Sequence, residues 1–456
     1  MKTARVIPLY KKGPREHPSA YRPINLLPVW SKLLEAAINE RLIGFLETNN
    51  YISGAQFGFR AGKSTEMAIR SLVEEISWAL DNKRRALGLM YDLTRAFETL
   101  DHQILLQKLE SMGIRGVALE WFQSYLEGRQ QLVEVATKTG AVRSDLRRVT
   151  IGVPTGSILG PTLFLIYIND LPNAVSRAKT ILFADDSNFI IQGQDEENVL
   201  QIATQTISEV DEWLLANRLV QNTGKAAFIY FRGRQRGEDI TLQIGNREIP
   251  PQPHARFLGV VVDEELRWRP HIAALAGKLT SACFALRQLS FCVDKRFLKM
   301  VYHGIVESHL RYGITCWGRA ADVERIFRLQ KRAVRAISGI RSQRVSCRDL
   351  FREAEILPLP CMYILQWCLF VRRNLEHMAT NDQVHDHNTR RARDVHVTGS
   401  RLQLTRRNTT QAGVQIYNAL PAEVKDTTTI SGFHARVRAL LMERNYYTVD
   451  EYLSHA

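Results

Sequence analysis

The chain has 456 residues and a mass of 52.1 kDa, long enough for two to four compact units, and its 45% hydrophobic residues suffice for real cores, which excludes a disordered or fibrous protein. Lys and Arg outnumber Asp and Glu by 61 to 47, a net charge of +14 with a pI near 9.6, which favours a polyanionic partner such as nucleic acid. The longest apolar stretch, residues 158–168, is interrupted by Gly160, Pro161 and Thr162, so no membrane span or signal-peptide core is expected.

In chain order, residues 1 to about 85 mix a basic, proline-punctuated start with helix-like stretches, of which residues 33–46 are the clearest by apolar spacing. Residues 86–91 form an apolar run that reads as a strand ending at Asp92 and giving way to the start of a helix, with Phe97 on its first turn. A further helix begins near Asp101, carries Leu105, Leu109 and Met112 on one face and stops at Gly113. Residues 152–160 combine Gly, Pro and Ser ahead of an apolar helix, a place where backbone can approach a base pair closely. Residues 181–184 and 189–191 read as short strands with residues 185–188 as the turn between them. The polar run from Phe231 to Asp239 reads as a turn or surface loop, and residues 257–262 as a strand.

From about residue 271 the chain reads as helical: Ile272, Leu275, Leu279, Ala282 and Leu286 recur at helix spacing, and segments around 297–312 and 323–338 follow. Residues 381–410, rich in Arg, His and Asn, read as a long loop or linker before a small terminal segment. Cysteines stand at 283, 292, 316, 347, 361 and 368 without a CxxC pair, which fits a reducing, intracellular compartment. There is no internal repeat and no low-complexity tract.

Asp185 and Asp186 sit in a turn between apolar strands, and Asp92 closes another strand. Like charges held together repel unless a cation lies between them, and Mg²⁺ takes a few carboxylates while leaving positions for water and phosphate oxygens. That is the requirement of phosphoryl transfer. Two adjacent acids in a turn are, on their own, usually a solvated loop.

The ordered surroundings carry more weight. Tyr21-Arg22-Pro23-Ile24, Gln56-Phe57-Gly58-Phe59-Arg60, Tyr91-Asp92-Leu93 through Phe97, Gly152-Val153-Pro154 through Gly160-Pro161, and Phe183-Ala184-Asp185-Asp186 follow one another. Asn217-Arg218-Leu219 through Asn222 and Lys225, then Phe257-Leu258-Gly259-Val260, continue the series. It resembles the reverse transcriptase of non-LTR, LINE-type retrotransposons, most closely the jockey-like elements. The resemblance extends through Ser308-His309-Leu310-Arg311-Tyr312-Gly313, Cys316-Trp317-Gly318, Leu329-Gln330-Lys331-Arg332 and Tyr417-Asn418-Ala419-Leu420-Pro421.

The resemblance implies an α+β right-hand polymerase. Residues 1–85 would be fingers, 86–262 a palm with the catalytic aspartates, 263–345 a helical thumb and 346–456 a C-terminal segment with a basic linker. It implies RNA-directed DNA polymerase activity on an RNA template and DNA primer with dNTPs. Two Mg²⁺ ions, or Mn²⁺ in their place, would be held by Asp92, Asp185, Asp186 and the Leu93 carbonyl. Lys225 would protonate the leaving pyrophosphate. Arg60 and Lys63 would grip the triphosphate, Thr155 and Gly156 would contact the incoming nucleotide, and Phe97 would exclude the 2′-hydroxyl. The competing reading of Phe97 is a core aromatic.

Three positions depart from the family pattern: Thr155 stands where glutamine is usual, Thr162 where a bulky apolar residue is usual, and Glu98 where aspartate is more common. These raise the alternative of an impaired or domesticated relic that binds RNA. The helix expected over 323–338 puts Arg325, Arg328, Arg332 and Arg335 opposite Ile326, Leu329, Ala333 and Ile337, either a phosphate-tracking stripe or a solvated face. His385, His387 and His396 with Cys347, Cys361 and Cys368 match no common zinc spacing. Members of the family usually carry an endonuclease before the polymerase. The chain begins just ahead of the first polymerase motif, as a truncated copy or a partial gene model would, so a separate endonuclease partner and a nuclear or cytoplasmic ribonucleoprotein are expected.

Overall fold

A computed structural model describes residues 2–138, 140–231, 240–340, 342, 345–384, 392, 394–397, 399, 402 and 409–455. His385 and His387, and the polar run after Phe231, lie outside the described residues. The chain divides into two compact units, one of residues 1–68, 87–228 and 239–251, the other of residues 69–86, 229–238 and 252–456. The four-part division expected from sequence is finer than this one.

Two main sheets stand out among the described residues. One runs β2 (Tyr21–Leu26), β1 (Thr3–Tyr10), β4 (Gln130–Thr137), β5 (Gly140–Arg143), with β6 (Arg147–Arg148) also pairing β4. The other runs β7 (Ala178–Phe183), β8 (Asp186–Gly193), β3 (Arg85–Tyr91), β9 (Ala227–Phe231), which sets the end of β3 beside the β7–β8 hairpin. Nearly every position of β3 and β8 is buried, so these strands show continuous apolar runs instead of alternation. The small strands β10 (Leu242–Ile244) and β11 (Arg247–Ile249) form a separate hairpin.

The helix Leu159–Ile168 is buried at every position except Pro161. A buried helix needs its first backbone N–H groups satisfied. Glu35, 2% exposed on the helix Val29–Thr48, does this: one carboxylate oxygen accepts from Ile158 N at 2.7 Å, and the other from Ser31 Oγ and Tyr125 Oη, each at 3.2 Å. Thr162, the departure at a usually bulky position, donates its hydroxyl to Asn39 Oδ1 at 2.6 Å, which ties the same two helices together.

In the second unit β12 (His254–Phe257) and β13 (Val260–Asp263) form an antiparallel hairpin whose two turn residues, Leu258 and Gly259, have φ of 44° and 90°. Both signs are those of a type I′ turn, which matches the twist of the flanking strands. The Tyr312 hydroxyl donates to the Leu258 carbonyl and so pins that turn. The helix Arg269–Leu289 lies along Val323–Ser338, whose bounds are those expected, with Gly339 ending it at φ 74°. Gln330, fully buried on that helix, donates to Tyr302 Oη and the Leu357 carbonyl, both at 2.9 Å, and accepts from Leu359 N at 2.7 Å.

The described chain after residue 346 is largely helical. The helix Leu359–Arg373 buries ten residues, among them Tyr363, Trp367 and Cys368, and packs against Thr410–Asn418 and Ile430–Arg444. Packing there is tight: a Cβ on Gly413 would stand 2.2 Å from the Trp367 ring. Cys347, Cys361 and Cys368 are buried, their thiols pushed up by burial, and Cys361 Sγ donates to the Tyr446 carbonyl at 3.4 Å. They serve as small core residues, not as a zinc set. Among the described residues no helix is long and apolar enough to cross a membrane.

Candidate active site

The hairpin that carries the paired aspartates is tighter than the sequence implied. Phe183 pairs with Asp186, so only Ala184 and Asp185 form the turn, and Asp186 opens β8. Ser187 and Asn188, expected in the turn, are buried strand residues. Ala184 holds φ of 54°, where such turns usually have glycine. It is kept there from outside: Gln56 Oε1 accepts from both Ala184 N at 3.1 Å and Gly58 N at 2.8 Å, while Phe57 N donates to the Leu182 carbonyl at 2.8 Å. Gly58 is required by contact, since a Cβ there would lie 2.4 Å from Ala184 N.

Asp92 follows β3 directly. Residues 220–222 run alongside it: Thr94 N donates to the Val220 carbonyl and Asn222 N to the Asp92 carbonyl, each at 2.9 Å. These two bonds bracket Leu93 and leave its own carbonyl out of the pairing. The same segment delivers two side chains to Asp92 Oδ2, Asn222 Nδ2 at 3.1 Å and Lys225 Nζ at 2.5 Å. Arg218 bonds Asp101 Oδ2 at 2.5 Å, and Asp101 Oδ1 caps the next helix through Gln103 N and Ile104 N.

The three carboxylates feel one another. Burial, and then the Asp92 charge, raise the Asp185 carboxyl, and burial with Asp185 and Asp92 pushes Asp186 up to about 6. Lys225 opposes both shifts. Two carboxyls raised in this way beside a third carboxylate offer hard oxygen donors that suit a small divalent cation. Among the described residues no three acid, His or Cys side chains stand close enough to form a ready-made metal cage. In this arrangement the Lys225 ammonium supplies the positive charge at Asp92.

Phe97 lies in a turn at residues 96–98, and the helix begins only at His102, so it is not on a first helical turn. Its ring stands 4.9 Å from that of Phe164 and it is half-buried. Its carbonyl accepts from Val153 N at 2.8 Å, which couples the Asp92 loop to the glycine-rich loop. Gly152, at φ 80°, faces Glu98 so closely that a Cβ would come within 2.4 Å of its carbonyl oxygen. Burial raises the Glu98 carboxyl, with Arg95 and Arg22 opposing.

Thr155 does not leave its hydroxyl to water: Oγ1 donates to the Pro23 carbonyl at 2.9 Å and accepts from Asn25 Nδ2 at 3.1 Å. Gly156, at φ 106°, lies against the Asn25 carbonyl. Arg60, expected at the triphosphate, is otherwise engaged. Its guanidinium makes a bidentate pair with Glu47 at 2.8 and 2.6 Å and donates to the Ser53 carbonyl at 2.8 Å. Lys63 sits 5.1 Å over the Phe57 ring, half-buried. Along the helix Val323–Ser338, Arg325, Arg328 and Arg332 are exposed, but Arg335 is half-buried and donates to the Val345 carbonyl, so the open stripe is shorter than expected.

The family model for reverse transcriptase (RNA-dependent DNA polymerase) matches residues 9–262, more than half of the sequence and all of the centre just described. The chain belongs to the reverse transcriptase family. It is 29% identical over 343 residues to the probable RNA-directed DNA polymerase from transposon X-element of Drosophila melanogaster, covering 73% of this chain and 37% of that protein. It is 31% identical over 361 residues to the probable RNA-directed DNA polymerase from transposon BS of the same fly, covering 74% and 38%. It is 29% identical over 364 residues to the RNA-directed DNA polymerase from mobile element jockey of Drosophila funebris, covering 76% and 39%. These relatives bear out the jockey-like resemblance, and the chain spans about two fifths of their length. A solved apo telomerase from Candida Tropicalis aligns over 84% of this chain and 68% of that one at 13% identity, with a TM-score of 0.42.

Within this reverse transcriptase core, residue-type reasoning assigned no work to Gln56 or Asn222. Both stand inside motifs that mark the family, which was the available signal; Gln56 is buried and Asn222 half-buried.

Proposed function

We propose that this reverse transcriptase core is the RNA-directed DNA polymerase of a non-LTR retrotransposon, joining dNTPs to a primer 3′-hydroxyl on an RNA template. The observation that carries the reading is the meeting of Asp92, Asp185 and Asp186 at one end of one sheet, with Lys225 bonded to Asp92. Asp92, Asp185, Asp186 and the Leu93 carbonyl are the ligands for two Mg²⁺ ions, or Mn²⁺. Ions held there would supply activation of the attacking hydroxyl and neutralisation of charge on the leaving pyrophosphate.

The chain's own residues do the rest. Asn222 and Lys225 fix the Asp92 carboxylate, and Gln56 holds the turn that presents Asp185. Lys225 is the proton donor to pyrophosphate, its ammonium already at the site. Lys63, Gly156 and Thr155 line the approach of the nucleotide, with Thr155 acting through its ties to Pro23 and Asn25. Phe97 excludes the 2′-hydroxyl by bulk. A folded, active Phe97→Val variant with unchanged preference for dNTPs over rNTPs would return it to the core. Arg325, Arg328 and Arg332 contact phosphates of the template-primer. A separate endonuclease and a ribonucleoprotein setting belong to the same reading.

The engaged Thr155 hydroxyl favours a second reading, an RNA-binding relic with weak or no catalysis. Primer extension on a synthetic RNA template, with dNTPs and Mg²⁺, separates the two. Extension that stops when the template is omitted supports the polymerase. Template binding without any extension supports the relic.

A further inference from the structure

The helix Val29–Thr48 is inside out over its first turns. Trp30 and Leu33 are 71% and 57% exposed, while Ser31 and Glu35 are 6% and 2% exposed. An amphipathic helix normally turns its apolar stripe inward. Here the inward stripe is polar, formed by Ser31, Glu35 and Asn39 at intervals of four residues, and each member has a partner. Ser31 Oγ donates to Glu35 Oε1, Thr162 Oγ1 donates to Asn39 Oδ1, and Glu35 Oε2 accepts from Ile158 N at 2.7 Å and from Leu159 N at 3.4 Å. Leaving leucines in solvent while polar groups are buried forgoes hydrophobic stabilisation. What the arrangement gains is a fixed geometry where the loop of residues 152–158 becomes the buried helix Leu159–Ile168.

That loop is fastened at three places. Val153 N donates to the Phe97 carbonyl, Thr155 bonds Pro23 and Asn25 through its hydroxyl and accepts from Asn25 N at its carbonyl, and Ile158 N is held by Glu35. Between them Ser157 Oγ donates to the Pro154 carbonyl at 2.8 Å and accepts from Gly160 N at 3.0 Å, which closes the loop on itself. Two of the three fastenings come from one stretch of chain, residues 23–35.

We infer that Glu35 is a positioning residue for the nucleotide loop, its carboxylate setting where Thr155 and Gly156 stand. The inference rests on the reading of that loop as lining the approach of the incoming nucleotide. Glu35 is buried and acts through the Ile158 amide, not by touching substrate. Gln in its place keeps the network: its oxygen accepts from Ile158 N, and its nitrogen donates to the Ser31 and Tyr125 hydroxyls, which can accept as well as donate. Met keeps the volume and removes every acceptor.

The test compares the wild type, Glu35→Met and Glu35→Gln as whole chains, by steady-state primer extension and by hydrogen-exchange mass spectrometry of residues 152–160 without substrate. Glu35→Met should raise the KM for dNTP about tenfold, with template-primer affinity unchanged, and speed exchange across the loop. Glu35→Gln should restore both. If Glu35→Met does not fold, Tyr125→Phe, which removes one donor from the same carboxylate, should raise the KM about threefold and speed exchange less. A folded Glu35→Met variant with a lowered urea midpoint but wild-type KM and exchange would make Glu35 a plain helix cap and overturn the inference. So would a Glu35→Gln variant no better than Glu35→Met, or wild-type values in Tyr125→Phe where that variant is the one read. A wild-type chain that extends no primer sinks the polymerase reading instead, and exchange alone then decides whether Glu35 holds the loop.

Discussion

At the carboxylate centre the side chains are held from within: Asp92 accepts from Asn222 and Lys225, Asp101 from Arg218, and one amide oxygen of Gln56 serves two backbone donors. Along the helix Val323–Ser338, Arg325, Arg328 and Arg332 are exposed, and among the described residues Arg328 donates to the Glu324 carbonyl at 3.5 Å. The first arrangement ties each carboxylate and turn to several fixed partners. The second leaves charges mobile to follow a flexible polyanion. A single replacement in the first therefore breaks several linked bonds, whereas each loss in the second is small, additive and masked by salt.

The largest effect short of removing a carboxylate is expected at Gln56. Gln56→Met keeps the volume but leaves the N–H groups of Gly58 and Ala184 without an acceptor, each worth about 1–3 kcal/mol when buried. Steady-state primer extension should fall at least tenfold in kcat with little change in template-primer affinity. Gln56→Glu, which keeps an acceptor oxygen, should retain more activity than Gln56→Met. Equal rates for Gln56→Met and the wild type would mean that the hairpin turn holds itself.

An intermediate effect is expected in the second unit, from pH alone. His271 is pushed down from 6.5 to about 4 by burial, with Lys278 adding to the shift. Below its ordinary pKa the unfolded chain takes up a proton that the folded one refuses. Stability from this residue is therefore complete above about pH 6.5, declines as the pH falls toward about 4, and is level below that. Urea midpoints followed by Trp fluorescence should show this slope, since Trp268 and Trp317 flank the ring at 6.1 and 5.7 Å. His271→Gln should remove this residue's share of the slope and leave that of Asp186, whose raised carboxyl acts in the opposite sense.

The smallest effect belongs to the arginine stripe. Replacing Arg325 and Arg328 by Gln should weaken binding of any template-primer alike and flatten the salt slope by about two units, one per contact. An unaltered slope would make the stripe a solvated face.

Legibility followed the same division. The helix Val323–Ser338 was readable to the residue because a strong apolar stripe ends at a glycine free to take positive φ. The aspartates stood out because they fall within an ordered series of family motifs; on its own the adjacent pair would pass for a solvated loop. The hairpin bounds were misread because Ser187 and Asn188, short polar residues typical of turns, are buried in β8. The pairing of Arg60 was not readable because its partner, Glu47, lies 13 residues away on another element, a pairing no local pattern announces. The packed helices after residue 346 were hidden because Leu359–Arg373 is apolar almost all round and shows no helical stripe. Gln56 and Thr155 act through backbone groups, which leave no trace in residue type.

The account rests on Asp185 as a metal-binding catalytic carboxylate. Asp185→Asn removes one charge and keeps the shape of the turn, so the variant should fold with an unchanged urea midpoint or gain slightly, since the native carboxylate is destabilised by burial and by Asp92. Primer extension on an RNA template in Mg²⁺ should then fall by at least a thousandfold relative to the wild type, an effect of about 4 kcal/mol on the chemical step. Extension by a folded Asp185→Asn variant at the wild-type rate would contradict the assignment of the centre.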